Sequence, residues 1–138
     1  MRKSLILTLI LSISPMIYAA KLKTVDDFYT ESETLLNSKK TSAIQDLEKS
    51  LKSTMDQYEK QDPLQGGKAE HEVTVLYYTL EPVFKLSHDK KITTENCAKV
   101  RQEIKTSDSM GRPEGSSLTK QADVAMKWLE NICPTLKE

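Results

Sequence analysis

Two cysteines and two histidines are the side chains of this sequence best suited to metal binding or redox chemistry. Cys97, Cys133, His71 and His88 could together hold zinc, but none of them lies in a C-x-x-C or H-x-x-x-H spacing, which zinc sites favour. The cysteines instead predict a Cys97–Cys133 disulfide, because the sequence also begins with an export signal and thiols oxidise outside the cytosol. A metal site and two free thiols are the alternatives.

Motifs of catalysis are almost missing from the sequence. His71 and Glu72 begin the H-E-x-x-H pattern of zinc proteases, but Val75 stands where the second histidine would be. There is no G-x-S-x-G nucleophile turn, no phosphate-binding glycine loop and no C-x-x-C-H haem attachment. A non-covalent haem between Met126 and His71 is disfavoured, because neither residue lies in the apolar stripe of its helix. We therefore expect no enzyme activity, no metal and no cofactor.

The start of the chain has the three parts of a secretory signal peptide. Arg2 and Lys3 give a basic beginning, an apolar run covers 5–17, and Ala19 offers a small residue for cleavage. The run is shorter than the ~20 residues that a membrane span needs. We expect 1–19 to be removed, which leaves 20–138 as a periplasmic or secreted domain. The lack of an N-x-S/T acceptor favours a bacterial protein.

The charges of the chain are balanced and evenly spread. The chain has twenty basic and twenty acidic residues. It has no basic block, and no aromatic residues are interleaved among its lysines and arginines. This pattern excludes the usual electrostatic signature of a nucleic-acid-binding protein. After removal of the signal, no apolar run is long enough to span a membrane. The length predicts one domain with a single core.

The two cysteines belong to a predicted helical hairpin. Apolar residues recur every three or four positions on two segments, which places each set on one helix face: Cys97, Val100 and Ile104, then Leu118, Ala122, Ala125, Leu129 and Ile132. Ser116 or Ser117 is placed to cap the second helix, and Pro134 to end it. Antiparallel packing would bring the cysteines to the same end of the hairpin, and 107–115 would form an exposed linker.

Two earlier helices are predicted from the same spacing. Thr24 and Asp27 resemble a capping box before the apolar residues Val25, Phe28, Tyr29, Leu35 and Leu36. Thr41 or Ser42 opens the second helix, whose apolar seam is Ile44, Leu47, Leu51, Met55 and Tyr58. The stretch 62–67, with one proline and two glycines, predicts a break before the next helix.

The third helix is apolar on two sides. One stripe is formed by Ala69, Val73, Leu76, Leu80 and Val83 or Phe84, and the opposite side carries His71, Val75, Tyr78 and Pro82. Such a helix is either central, and covered on both sides, or offers its second face to a partner. Pro82 is expected to kink or restart the helix, with a shallow pocket beside Tyr77 and Tyr78. Trp128 lies off the stripe of its helix, which makes it either a boundary residue or an interface anchor.

The sequence therefore predicts an all-α fold, an antiparallel bundle of about five helices arranged around the third. The expected function is that of an exported, non-catalytic module that binds another protein, as an inhibitor, immunity-type protein, adaptor or chaperone. The candidate face is His71, Val75, Tyr78, Pro82 and Trp128. The alternative is a carrier of a small ligand or cofactor near Tyr77, Tyr78 and Pro82.

Overall fold

The computed structural model describes 21–61 and 63–133, and in these ranges it contains five α-helices and no strand. The helices are α1 (Val25–Asn37), α2 (Ala43–Glu59), α3 (Pro63–Ser87), α4 (Thr94–Ser109) and α5 (Lys120–Ile132). The predicted all-α bundle is confirmed. The predicted signal peptide, 1–19, and the residues after Cys133 lie outside the described ranges. None of the helices in the described part of the chain is long and apolar enough to cross a membrane.

The α4–α5 hairpin is closed at both ends. At one end, Cys97 in the first turn of α4 forms a disulfide with Cys133, which directly follows α5, and their Cα atoms are 6.2 Å apart. At the other end, the Thr119 amide donates to the Asp108 carboxylate at 3.2 Å. The start of each helix thus meets the end of the other, so the helices are antiparallel and the predicted disulfide is confirmed.

Helix α3 is the central element, since it contacts α1, α2, α4 and α5. Its core side is fully buried, with Val73, Leu76, Leu80 and Val83 at most 1% exposed. Buried apolar side chains from all five helices join them in one continuous core. The regular spacing of these residues at three and four positions explains why each helix buries a single face.

Polar contacts fix the directions of the outer helices. The Tyr58 hydroxyl near the end of α2 donates to the Lys23 carbonyl before α1, at 2.9 Å, so α1 and α2 are antiparallel. The Lys120 ammonium at the start of α5 lies 4.1 Å from the centre of the Tyr29 ring in the first turns of α1. Helices α1 and α5 therefore run in the same direction on neighbouring sides of the bundle.

The start of α5 differs from the prediction. Thr119, and not Ser116 or Ser117, caps this helix, and its hydroxyl accepts from the Ala122 amide at 3.3 Å. Leu118 consequently lies before the helix, where it is 39% exposed, and does not extend the buried stripe. The reason is non-local, because Asp108 at the end of α4 binds Thr119 and fixes the first turn of α5 there.

The helix does not restart at Pro82. Within α3, Gly67 has non-helical torsion angles (φ 35°, ψ −119°), and the helix continues through Pro82. Gly67 can adopt this positive φ because it lacks a Cβ. Pro82 is half-buried and, unlike its neighbours Val83 and Phe84, is not part of the buried core; the helix accommodates it without non-helical torsion angles.

Candidate functional site

Four of the five predicted face residues line one groove. His71, Val75, Tyr78 and Pro82 of α3 form one wall of this groove, which has a volume of about 690 Å³. The opposite wall comes from the α4–α5 hairpin and includes Ile104, Ser107, Asp108, Thr119 and Gln121. We call this site the α3 groove. The volume lies in the range of binding sites for ligands or short peptide segments.

The apolar groups of the α3 groove are unusually accessible. The side chain of Tyr78 is 59% exposed and that of Val75 is 36% exposed, whereas Ile104 beneath them is 3% exposed. Tyr78 offers a large flat surface and a hydroxyl group, a combination enriched in protein interfaces. Although α3 is the central helix, its second face is therefore only partly covered by the rest of the bundle.

The hairpin wall is held rigid by a charged cluster. The Arg112 guanidinium donates to Asp108 at 2.6 Å and also to the Ser117 carbonyl. Asp108 accepts from both the amide and the hydroxyl of Thr119, and its side chain is only 7% exposed. The linker between α4 and α5 is thus tied to both helices. The sequence alone predicts only an exposed loop here, because the pairing joins residues eleven positions apart.

The charges along the α3 groove are acidic. Glu81, Glu103 and Asp108 line it, and no lysine or arginine is found among its described lining residues. Lys85 neutralises Glu81 in part, with 3.1 Å between ammonium and carboxylate, and Arg112 neutralises Asp108. Glu103 is exposed. The groove is therefore suited to an apolar group that is flanked by a cation.

Trp128 is not part of this surface. Its side chain is 0% exposed and its indole N–H donates to the buried Ser32 hydroxyl of α1 at 2.7 Å. Trp128 cannot reach a partner and instead joins α5 to α1. Tyr77 does not line the groove either; its ring packs 5.7 Å from that of Phe84, lies under Lys52 and meets the ring of Tyr78 edge-on at 5.5 Å.

No known protein family, curated protein or solved structure matches this chain. Within the described ranges, no group of three histidine, cysteine, aspartate or glutamate side chains is placed to hold a metal ion.

A second polar cluster involves the other histidine. Nε2 of His88, just after α3, lies 2.6 Å from the Glu48 carboxylate of α2, and Lys52 donates to the same carboxylate at 2.6 Å. Burial alone would raise the pKa of Glu48, but the hydrogen bonds from Lys52 and His88 outweigh it and bring that pKa below its ordinary value of 4.5. The cluster ties α2 to the end of α3. Sequence periodicity could show the Glu48–Lys52 spacing, but not the contact with His88.

The Glu48 cluster predicts loss of stability in acid. Because the pKa of Glu48 is lower in the folded than in the unfolded chain, its contribution is complete above about pH 4.5 and disappears as the pH falls through the folded-state value. Glu48→Gln should lower the free energy of unfolding by about 1 kcal/mol at pH 7, since His88 and Lys52 are half exposed.

Urea unfolding between pH 7 and pH 3 tests this prediction. The difference between wild type and Glu48→Gln should shrink below pH 4.5, while Glu114→Gln, an exposed control in the α4–α5 linker, should follow the wild type throughout. Parallel curves for wild type and Glu48→Gln down to pH 3 would show that ionisation of Glu48 does not stabilise the fold.

Proposed function

We propose that this protein is an exported helical module, periplasmic or secreted and of bacterial type, that binds a segment of another protein in the α3 groove. The observation that carries the proposal is the exposure of Tyr78 and Val75 beside a groove on the central helix. Large exposed apolar residues that border a concave surface are typical of protein interfaces.

Rigidity of the groove supports the proposal. One wall is part of the central helix, and the other belongs to a hairpin closed by the disulfide and by the Asp108 cluster. A preformed surface loses little conformational entropy on association, which leaves more of the contact energy for affinity. An inhibitor, immunity-type protein, adaptor or chaperone acts by binding alone and needs no catalytic groups.

The sequence also suggested a small-ligand carrier near Tyr77, Tyr78 and Pro82. Tyr77 does not line the groove and only supports it from behind, through the edge-on contact of its ring with that of Tyr78. The groove is only partly enclosed, which suits a segment of a partner better than a ligand that must be surrounded. We therefore retain protein binding as the proposed function.

We expect Val75→Ser combined with Tyr78→Ala to weaken partner binding by at least about tenfold, because exposed aromatic anchors carry much of the energy of an interface. The mature protein would be immobilised and exposed to extract of the exporting host, and partner recovery would be quantified against protein concentration. Met110→Ser is the matched control, since Met110 is 75% exposed and does not line the groove.

Saturable recovery that the double variant loses and the Met110→Ser control keeps would support the proposal. Equal recovery by all three proteins would place any interaction outside the groove. Thermal melts of the variants should match the wild type, because both substituted side chains are exposed.

A further inference from the structure

A second cleft lies at the opposite end of the bundle, between the ends of α1 and α5 and the beginning of α2. Its volume is about 410 Å³. Aliphatic side chains from three helices line it: Leu35, Leu36, Ile44 and Ile132. We call it the lysine cleft, because Lys39 and Lys40 also line it. It shares no residue with the α3 groove.

Among the described residues that line the lysine cleft, both charged side chains are basic. Lys39 and Lys40 are its charged lining residues, and no carboxylate is found among the described residues that surround it. Neither lysine forms an ion pair within the described ranges. Two unpaired ammonium groups beside an aliphatic surface complement a ligand that has a carboxylate next to an aliphatic group.

Besides a carboxylate and an aliphatic group, Gln45 favours a ligand that has a hydrogen-bond donor. Its side-chain oxygen is buried and has no hydrogen-bond partner within the described structure, although Gln45 lines the cleft. A buried acceptor without a donor is costly, so such groups usually have a partner. The terminal torsion of a glutamine side chain is soft. Its oxygen can therefore turn to meet an N–H group that enters the cleft.

We propose that the lysine cleft binds the C-terminal residue of another polypeptide, one with a large aliphatic side chain. The α-carboxylate pairs with Lys39 and Lys40, the amide N–H of the same residue donates to Gln45, and the side chain packs on Leu35, Leu36, Ile44 and Ile132. In a C-terminal residue, the carboxylate, the N–H donor and the side chain are all attached to one carbon, Cα. At roughly 30 Å³ per non-hydrogen atom, the cleft volume of about 410 Å³ accommodates about a dozen non-hydrogen atoms of a ligand. This inference does not depend on the function proposed for the α3 groove.

The test is an NMR titration of the mature, disulfide-bonded protein with N-acetyl-Ala-Leu. Three matched ligands each lack one feature: the C-terminal primary amide lacks the charge, the analogue with an ester in place of the last amide lacks the N–H, and N-acetyl-Ala-Ser lacks the aliphatic group. We expect saturable shifts of the amides of Ile44, Ile132 and Ile92, which also lines the cleft. The affinity of each matched ligand should be at least about tenfold lower.

Variants make the assignment specific. Lys39→Gln with Lys40→Gln should weaken binding of the free acid about tenfold and leave binding of the primary amide unchanged. Lys68→Gln with Lys105→Gln, two exposed lysines outside the cleft, is the control and should bind as the wild type does.

Several outcomes would overturn the proposal. One is that the wild type binds the free acid and the primary amide with equal affinity. Another is that the two pairs of lysine substitutions weaken binding equally. A third is that no saturable shift is seen up to millimolar ligand. If decanoate, which has no N–H, binds as tightly as N-acetyl-Ala-Leu, the cleft accepts simple amphipathic acids and the C-terminal assignment is wrong.

Discussion

Replacing Cys97 and Cys133 together by alanine is expected to lower the free energy of unfolding by about 4 kcal/mol. The disulfide joins residues separated by 36 positions, and in the chain-entropy model a loop of this size restricts the unfolded chain by that amount. For a domain of this size the melting temperature should fall by about 15 °C. Both cysteines are 1% exposed, so the lost packing adds to the effect.

Thermal melts with and without a reductant measure this effect. The wild type should lose stability when the disulfide is reduced, whereas the double alanine variant should melt at the same temperature in both conditions. A wild-type melt that is unchanged after complete reduction, verified by thiol titration, would contradict the prediction.

Loss of the disulfide should destabilise the α4–α5 hairpin more than the rest of the fold. The disulfide closes one end of the α4–α5 pair. Without it, the Asp108 cluster at the other end and the Arg101–Glu130 ion pair still join the two helices through polar contacts. Because this hairpin forms one wall of the α3 groove, reduction should also weaken partner binding. The disulfide thus connects stability of the fold with the proposed function.

Trp128→Ala is expected to have a similarly large effect, about 3–5 kcal/mol. Trp128 is the largest fully buried side chain, and truncation leaves a cavity among α1, α3 and α5 that the packed helices can only partly fill. The indole also satisfies the hydroxyl of Ser32, which is 2% exposed. Truncation leaves that hydroxyl buried without its partner, which adds to the cost.

A double-mutant cycle separates packing from the hydrogen bond. Trp128→Phe retains a ring but loses the indole N–H, and Ser32→Ala in that background removes the unpaired hydroxyl. We expect the second substitution to recover part of the stability that Trp128→Phe loses, as measured by urea unfolding. If Ser32→Ala lowers stability equally in both backgrounds, the two side chains are not coupled in the folded protein.

Periodic sequence features predicted most of the fold. The spacing of residues such as Leu47 and Leu51 determines which face of a helix is buried. This spacing can be read from residues within two helical turns of each other, so it is visible in the sequence. The start of α5 and the Glu48–His88 contact could not be predicted in this way. Both depend on side chains that tertiary packing brings together. In the sequence, these polar residues look the same as the many polar residues that remain exposed.

Part of the candidate site was also predictable. Helical spacing placed His71, Val75, Tyr78 and Pro82 on one side of α3, and the structure brings all four to the same groove. The opposite wall was not predicted, because the position of the hairpin relative to α3 depends on tertiary packing. Trp128 shows the same limit, since a position beside an apolar stripe does not determine whether another helix covers it.

The central claim is that the α3 groove holds a protein partner, and site-specific photocrosslinking in the exporting host tests it most directly. A benzophenone amino acid would replace Tyr78 in one variant and Asp46, an exposed residue of α2 outside the groove, in another. We expect a light-dependent adduct of one defined mass from position 78, no such adduct from position 46, and loss of the adduct when Val75→Ser is added. Absence of an adduct at position 78, or identical adducts from both positions, would contradict the claim.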